Sequence, residues 1–253
     1  MRYHISFSGG LGSAVTALAA HKAGLKFTLL FADTLIEDED LYRFIEDVAK
    51  AVDVTITYLR DGRDPWEVFV DKRYIGNTRT AHCSTELKTK PIKNWLAENA
   101  AIDEPLVLGM DWSESDRLER ASERWYPRPV ISLLNELSVW RPQYADILAE
   151  YGIAKPRLYD LGFTHNNCGG FCVKAGKKQF ALLREVFPDR YKHHAAKMED
   201  AMKAIGETAR PFLRHRRNNE TAYLTLNEYD SVLETEADIQ DEFDLSGCGC
   251  FTD

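Results

Sequence analysis

Tyr3-His4-Ile5-Ser6-Phe7 runs into Ser8-Gly9-Gly10-Leu11-Gly12-Ser13 and then into Ala14-Val15-Thr16-Ala17-Leu18-Ala19-Ala20. This reads as a strand, a glycine- and serine-rich loop, and a helix. Glycines let a backbone approach an anion closely, loop N–H groups and serine hydroxyls donate to it, and a helix start adds partial positive charge. The string is therefore a phosphate cradle over Ser8, Gly9, Gly10, Gly12 and Ser13, set against the plainer reading of a structural turn. The alanine-rich run has no breaker before Gly24, so the helix is expected over 13–23.

Outward from this unit the pattern repeats. Apolar runs at 3–8, 26–32, 54–59 and 105–110 alternate with helical spacing at 13–23, 38–52 and 89–100. That alternation predicts an α/β fold with a parallel, Rossmann-like sheet flanked by helices. Residues 61–85 read as a polar, irregular crossing of the sheet's carboxyl edge. Beyond Pro127 the texture changes to a helix after Trp140-Arg141-Pro142, a loop over 155–170, and helices from 174 to 187 and on to 205. The expected organisation is a nucleotide-binding domain over 1–130 and, over 131–253, a mostly helical and loop-built C-terminal cap with a cysteine-rich loop and an acidic tail. The two are expected to pack as one unit.

The chain has 253 residues, 44% hydrophobic and 28% charged, with a net charge of −8. That is enough chain for a full core. No apolar run reaches the roughly 18 residues of a bilayer span, and the N-terminus lacks a signal-peptide pattern, so a cytoplasmic protein without a membrane partner is expected. The net charge does not indicate a nucleic-acid acceptor but leaves a local site open. Arg210, Arg214, His215, Arg216 and Arg217 form a basic knot, read as a solvated loop, followed by an acidic tail. A homodimer is the default oligomer. The five cysteines, Cys83, Cys168, Cys172, Cys248 and Cys250, are odd in number, which turns the reading from a disulfide framework to thiol or metal chemistry.

Four further strings carry chemistry. Asp33-Thr34 closes the second strand, where an open parallel sheet holds ligands. Asp33 can accept from a ribose or adenine, hold Mg²⁺, or cap a helix. Cys83 precedes a helix with Lys88 and Lys90, which favours a thiolate. Gly109 ends the fourth strand and permits close ligand approach, while Arg117 can clamp a phosphate and Glu114 can orient it. Cys168 and Cys172 bracket Gly169-Gly170, and with Cys83, Cys248 and Cys250 five thiols are available for a four-thiolate site holding [4Fe–4S] or Zn²⁺.

In this order, Ser8-Gly9-Gly10-x-x-Ser13, Ala32-Asp33-Thr34, Cys83-Ser84-x-x-Leu87-Lys88-x-x-Pro91-Ile92, 109–117, and Leu158 to Phe163 leading to Cys168 and Cys172, the chain resembles the PP-loop superfamily. Within it, the likeness is to the phosphoadenosine-phosphosulfate (PAPS) reductase-like, adenine nucleotide alpha hydrolase branch, over residues 5–191. The resemblance implies a PP-loop/HUP-type sheet. It implies an adenine nucleotide, ATP or PAPS, on Ser8, Gly9, Gly10, Gly12, Ser13, Asp33, Thr34, Lys88 and Gly109, with Arg117 at the phosphate or sulfate end. It also implies a cluster on Cys83, Cys168 and Cys172 with Cys248 as a further ligand, and a reactive thiol at Cys250 or Cys248. A sulfur donor or reductant protein would be the partner.

Two departures stand out. ATP-splitting members carry Lys-Asp where this chain has Leu11-Gly12, which removes a Mg²⁺ contact. Cluster-bearing reductases carry two adjacent cysteines where this chain has Cys83-Ser84. The expected function is sulfur chemistry coupled to the nucleotide, by adenylation and thiolation or by sulfonucleotide reduction. The alternative is a non-catalytic nucleotide- and zinc-binding regulator or assembly partner.

Overall fold

The structure is a computed structural model and describes residues 1–217 and 220–235. In chain order the elements are β1 (Tyr3–Ser6), α1 (Leu11–Lys22), β2 (Phe27–Asp33), α2 (Glu39–Ala51), β3 (Ile56–Arg60), α3 (Pro65–Lys72), α4 (His82–Ser84), α5 (Lys90–Asn99), β4 (Leu106–Val107), α6 (Ser115–Trp125), β5 (Val130–Ile131), α7 (Leu133–Glu136), α8 (Tyr144–Glu150), α9 (Arg157–Asp160), α10 (Lys177–Val186), α11 (Pro188–Ile205), β6 (Leu213–Arg217), β7 (Glu220–Leu224) and α12 (Leu226–Thr235). The five-stranded sheet has the order β3-β2-β1-β4-β5 and every pairing in it is parallel.

The run Phe27-Thr28-Leu29-Leu30-Phe31-Ala32 is apolar nearly throughout because helices cover both faces of the sheet. Leu29 and Phe31 join Ile5, Phe7 and Val107 against α1, α2, α7 and α8. Leu30 and Ala32 join Leu106 and Leu108 on the opposite face against Ile92 and Leu96 of α5 and Ala121 and Trp125 of α6. Helix α1 is buried without interruption from Ser13 to Ala20. Its small side chains let it sit deep between the sheet and the α2, α7 and α8 layer. A third core is aromatic: Trp66 and Phe69 of α3 meet Phe171, Phe180 and Phe212 and the inner faces of α11 and α12.

Several expectations change. Helix α1 starts at Leu11 with Gly10 as its cap residue, so the glycine loop is shorter than 8–13. Within 61–85 lies α3, opened by a capping box in which Asp64 accepts from Glu67 N–H, with Pro65 in the first turn. Those residues carry the sequence signal of a helix start, and the polar flanks mask it. Strand β5 is two residues long, too short for any periodicity to show. It straddles residue 130 and pairs with β4, and α7 and α8 behind it pack on α1. The basic knot is not a loop: Leu213–Arg217 pairs antiparallel with Glu220–Leu224 as a hairpin.

Candidate functional site

Strand order reverses across β1, with β2 on one side and β4 on the other. At such a switch point the connections leave in opposite directions and open a crevice beyond the strands' carboxyl ends. Here the crevice is a cleft of about 480 Å³. Its floor is the start of α1 meeting the end of β4, backbone against backbone. A Cβ on Gly12 would lie 2.2 Å from the Gly109 carbonyl oxygen, and one on Gly109 would lie 2.4 Å from Ser13 N. Glycine is required at both positions by contact, not by dihedral angle.

No side chain caps the start of α1. The Leu11 N–H donates to the Tyr159 hydroxyl at 3.4 Å, and the Ser13 hydroxyl donates to the Gly10 carbonyl at 2.9 Å while lying 3.3 Å from Ser8 Oγ. The positive end of a helix therefore faces the cleft, flanked by two hydroxyls. Lys88, Arg117 and Arg141 line the same space. Lys88 lies in the π-helical turn Thr85–Thr89, which joins α4 to α5. Such turns recur at functional sites because the extra residue re-aims a side chain. Its ammonium is 3.7 Å from Glu37. Arg117 pairs with Glu114, and Arg141 donates to Asp111 Oδ2 at 3.1 Å. Burial would raise the Asp111 carboxyl, but hydrogen bonds from Ser113 and the charge of Arg141 hold it below the usual carboxylate range.

The roof comes from residues 164–167. Asn166, buried, donates to the Gly9 carbonyl at 3.0 Å and so fastens the roof to the glycine loop. Behind it Cys168, Gly169 and Gly170 all have positive φ, at 53°, 57° and 86°. A Cβ on Gly169 would lie 2.7 Å from the Ile36 carbonyl. This turn is held by Glu37, which accepts from Cys168 N–H and, at 2.8 Å, from the Thr34 hydroxyl, and by Arg190, which donates to the Gly169 carbonyl at 2.7 Å.

Of the expected nucleotide residues, Ser8, Gly10, Gly12, Ser13, Lys88 and Gly109 line the cleft, as does Arg117. Gly9 lies beneath it, where a Cβ would meet Leu41 at 2.8 Å. Asp33 and Thr34 are buried outside the lining. Asp33 accepts from Leu35 N–H, the Tyr42 hydroxyl and Arg60 Nε, so its oxygens are engaged within the protein.

The thiols divide. Cys168 and Cys172 are hydrogen-bonded to each other, and that contact together with burial pushes the Cys168 thiol up. Cys83 lies in α4 and packs, as Cys172 does, against the aromatic core. Among the described residues no three His, Cys, Asp or Glu side chains gather as metal ligands. Cys248 and Cys250 lie outside the described residues.

Arg141, Tyr144, Tyr159 and 164–167 complete the lining and carried no signal as nucleotide residues. Tyr159 lies within Leu158–Phe163, one of the stretches that carry the family resemblance, but nothing local marks it as the partner of Leu11.

The family model for the phosphoadenosine phosphosulfate reductase domain matches residues 2–126. An uncharacterized protein of Methanocaldococcus jannaschii is 26% identical over 209 residues, covering 79% of this chain and 47% of that protein. A second from the same organism is 29% identical over 190 residues, covering 73% and 38%. The chain thus spans about half or less of the length of these curated relatives. Among solved structures it is similar to a PAPS reductase from Candida auris in a phosphate complex, with a TM-score of 0.45, 19% identity, and coverage of 64% of this chain and 78% of that one. It is also similar to a predicted subunit of tRNA methyltransferase from M. jannaschii, with a TM-score of 0.36, 18% identity, and coverage of 59% and 76%. No described helix is long and apolar enough to cross a membrane.

Proposed function

From the match of residues 2–126 to the phosphoadenosine phosphosulfate reductase domain model, we propose that the cleft binds an adenine nucleotide and that the protein is an enzyme coupling it to sulfur chemistry at a thiol. One observation carries the reading. The uncapped start of α1 and the cations Lys88, Arg117 and Arg141 converge on one cleft at the sheet's switch point. A nucleotide's anionic chain lies against the helix start, where backbone N–H groups and the serine hydroxyls of Ser8 and Ser13 stabilise charge without reorganising. Arg117 and Arg141 take the terminal phosphate or sulfate.

Two chemistries suit that arrangement. With ATP, an acceptor oxygen attacks the α-phosphorus and pyrophosphate leaves, and a sulfur nucleophile then displaces AMP. With PAPS, a thiolate attacks the sulfonyl sulfur and the nucleoside bisphosphate leaves, after which a second thiol closes a disulfide and releases sulfite. The contact between Gly12 and Gly109 favours the second. It excludes a side chain where ATP-splitting relatives place an aspartate, so this loop position offers no carboxylate to Mg²⁺. In this reading Cys250 or Cys248 supplies the thiolate. The test is a turnover assay with each nucleotide. Sulfite from PAPS is expected, AMP and pyrophosphate from ATP would transfer the reading to the adenylating version, and neither product would return the protein to a nucleotide-binding regulator.

A further inference from the structure

Trp112 and Trp140 are 52% and 53% exposed, and their rings lie with centroids 6.3 Å apart and planes 24° from parallel. They come from separate turns: Trp112 opens Trp112–Glu114 after β4, and Trp140 precedes Arg141–Gln143 before α8. The Trp140 N–H donates to Gln143 Oε1 at 2.7 Å, which fixes the second turn. Each ring is next in sequence to a residue of the cleft wall, Trp112 to Ser113 and Trp140 to Arg141. By contrast Trp66 and Trp125 are 2% and 5% exposed. Single exposed apolar side chains are ordinary, but two large rings facing each other at the rim of a cleft make a patch.

The charges beside this patch select its occupant. Among the described residues lining the cleft, Glu114 is the one carboxylate, against Lys88, Arg117 and Arg141. The Arg141 side chain, 66% exposed, follows Trp140 in sequence, lines the cleft and pairs with Asp111 and Glu114. A ligand that suits both features carries planar rings and negative charge together. A proline-rich or apolar peptide carries only a surface for the rings.

We propose that Trp112 and Trp140 form a stacking platform for an unpaired base of a single-stranded nucleic acid, with the adjoining phosphate on Arg141. This rests on the reading of the cleft as the nucleotide site, whose wall residues Ser113 and Arg141 adjoin the two rings in sequence. Base–aromatic stacking tolerates every base and gives affinity without sequence readout, and a phosphate contact makes binding fall with salt.

The experiment is a fluorescence-anisotropy titration of the full chain with labelled single-stranded 12-mers, in separate RNA and DNA arms, at low and raised salt. A parallel calorimetric titration uses ATP and PAPS. Either arm binding supports the proposal and names its sugar. Trp112→Ala and Trp140→Ala are each expected to weaken the 12-mer on the order of tenfold with nucleotide affinity unchanged, and Trp112→Phe, which keeps a ring, is expected to recover most of the loss. Absence of binding in both arms, or equal binding by both alanine variants, would overturn it. So would a concentration-dependent dimer of the free protein that both alanine variants abolish, since the rings would then cover a second copy. Loss of the cleft reading looks different: no calorimetric signal with either nucleotide while the 12-mer still binds.

Discussion

At the scale of single residues, Gly12 shows how a departure from a family pattern is explained by one contact. Its absent side chain is the space occupied by the Gly109 carbonyl. Gly12→Asp, which puts a side chain into that contact, is therefore expected to reduce nucleotide affinity and to lower thermal stability by several degrees, read by calorimetry and a melting curve. A gain in ATP turnover would contradict this account. His194 gives a prediction about pH. It is 3% exposed, stacked on Phe171 at 3.9 Å, and accepts at Nδ1 from the Trp66 N–H at 3.0 Å. Burial pushes its pKa from 6.5 down to about 3. The unfolded chain takes up a proton below pH 6.5 and the folded chain does not, so this residue's contribution is whole above pH 6.5 and is lost as pH falls towards 3. The slope is about 1.4 kcal/mol per pH unit. His194→Phe is expected to flatten that acid limb in urea titrations at stepped pH, while costing about 1–2 kcal/mol at neutral pH by leaving the Trp66 N–H without an acceptor.

At the scale of elements, the start of α2 ties α9 and α11 to the sheet through Asp38. Asp38 has no exposed surface, caps α2 through Asp40 N–H, and accepts two bonds from Arg157 and one from Arg190. Burial would raise its carboxyl, and those guanidinium bonds outweigh it and hold the group below 3.8. Its contribution is accordingly present above that value and lost in strong acid. Asp38→Ala leaves two arginines facing a vacated site and is expected to cost about 3 kcal/mol, measured by denaturant unfolding. Because Arg190 also holds the Gly169 carbonyl, the same variant is expected to speed alkylation of Cys172. An unchanged alkylation rate would show that the cysteine turn is held without this anchor. Two of the elements that resisted reading share one cause. Strand β5 and the π-helical turn are each five residues or fewer, too short to impose a period, and their conformation is set by what packs against them.

At the scale of the whole molecule, the cleft joins distant parts of the chain: the α1 start, the β4 end, the turn before α8 and the roof at 164–167. A bound nucleotide touches all of them, so it should stabilise the fold as a unit. At a hundredfold excess over its dissociation constant the gain is about 2.7 kcal/mol, visible as a raised melting temperature that Gly12→Asp abolishes. No rise with either ATP or PAPS would sink the cleft as a nucleotide site. The strand, glycine loop and helix at the N-terminus and the parallel sheet were legible in the sequence, because glycine, hydrophobic period and helix-start chemistry act between near neighbours. What the tertiary structure alone decided is who meets that loop. Tyr159 and Asn166 reach it from more than a hundred residues away, Arg141 lines the same cleft, and Asp33 is drawn off into its own hydrogen bonds. Those outcomes depend on how helices and turns pack across the sheet, and packing between distant segments leaves no periodic mark on the chain.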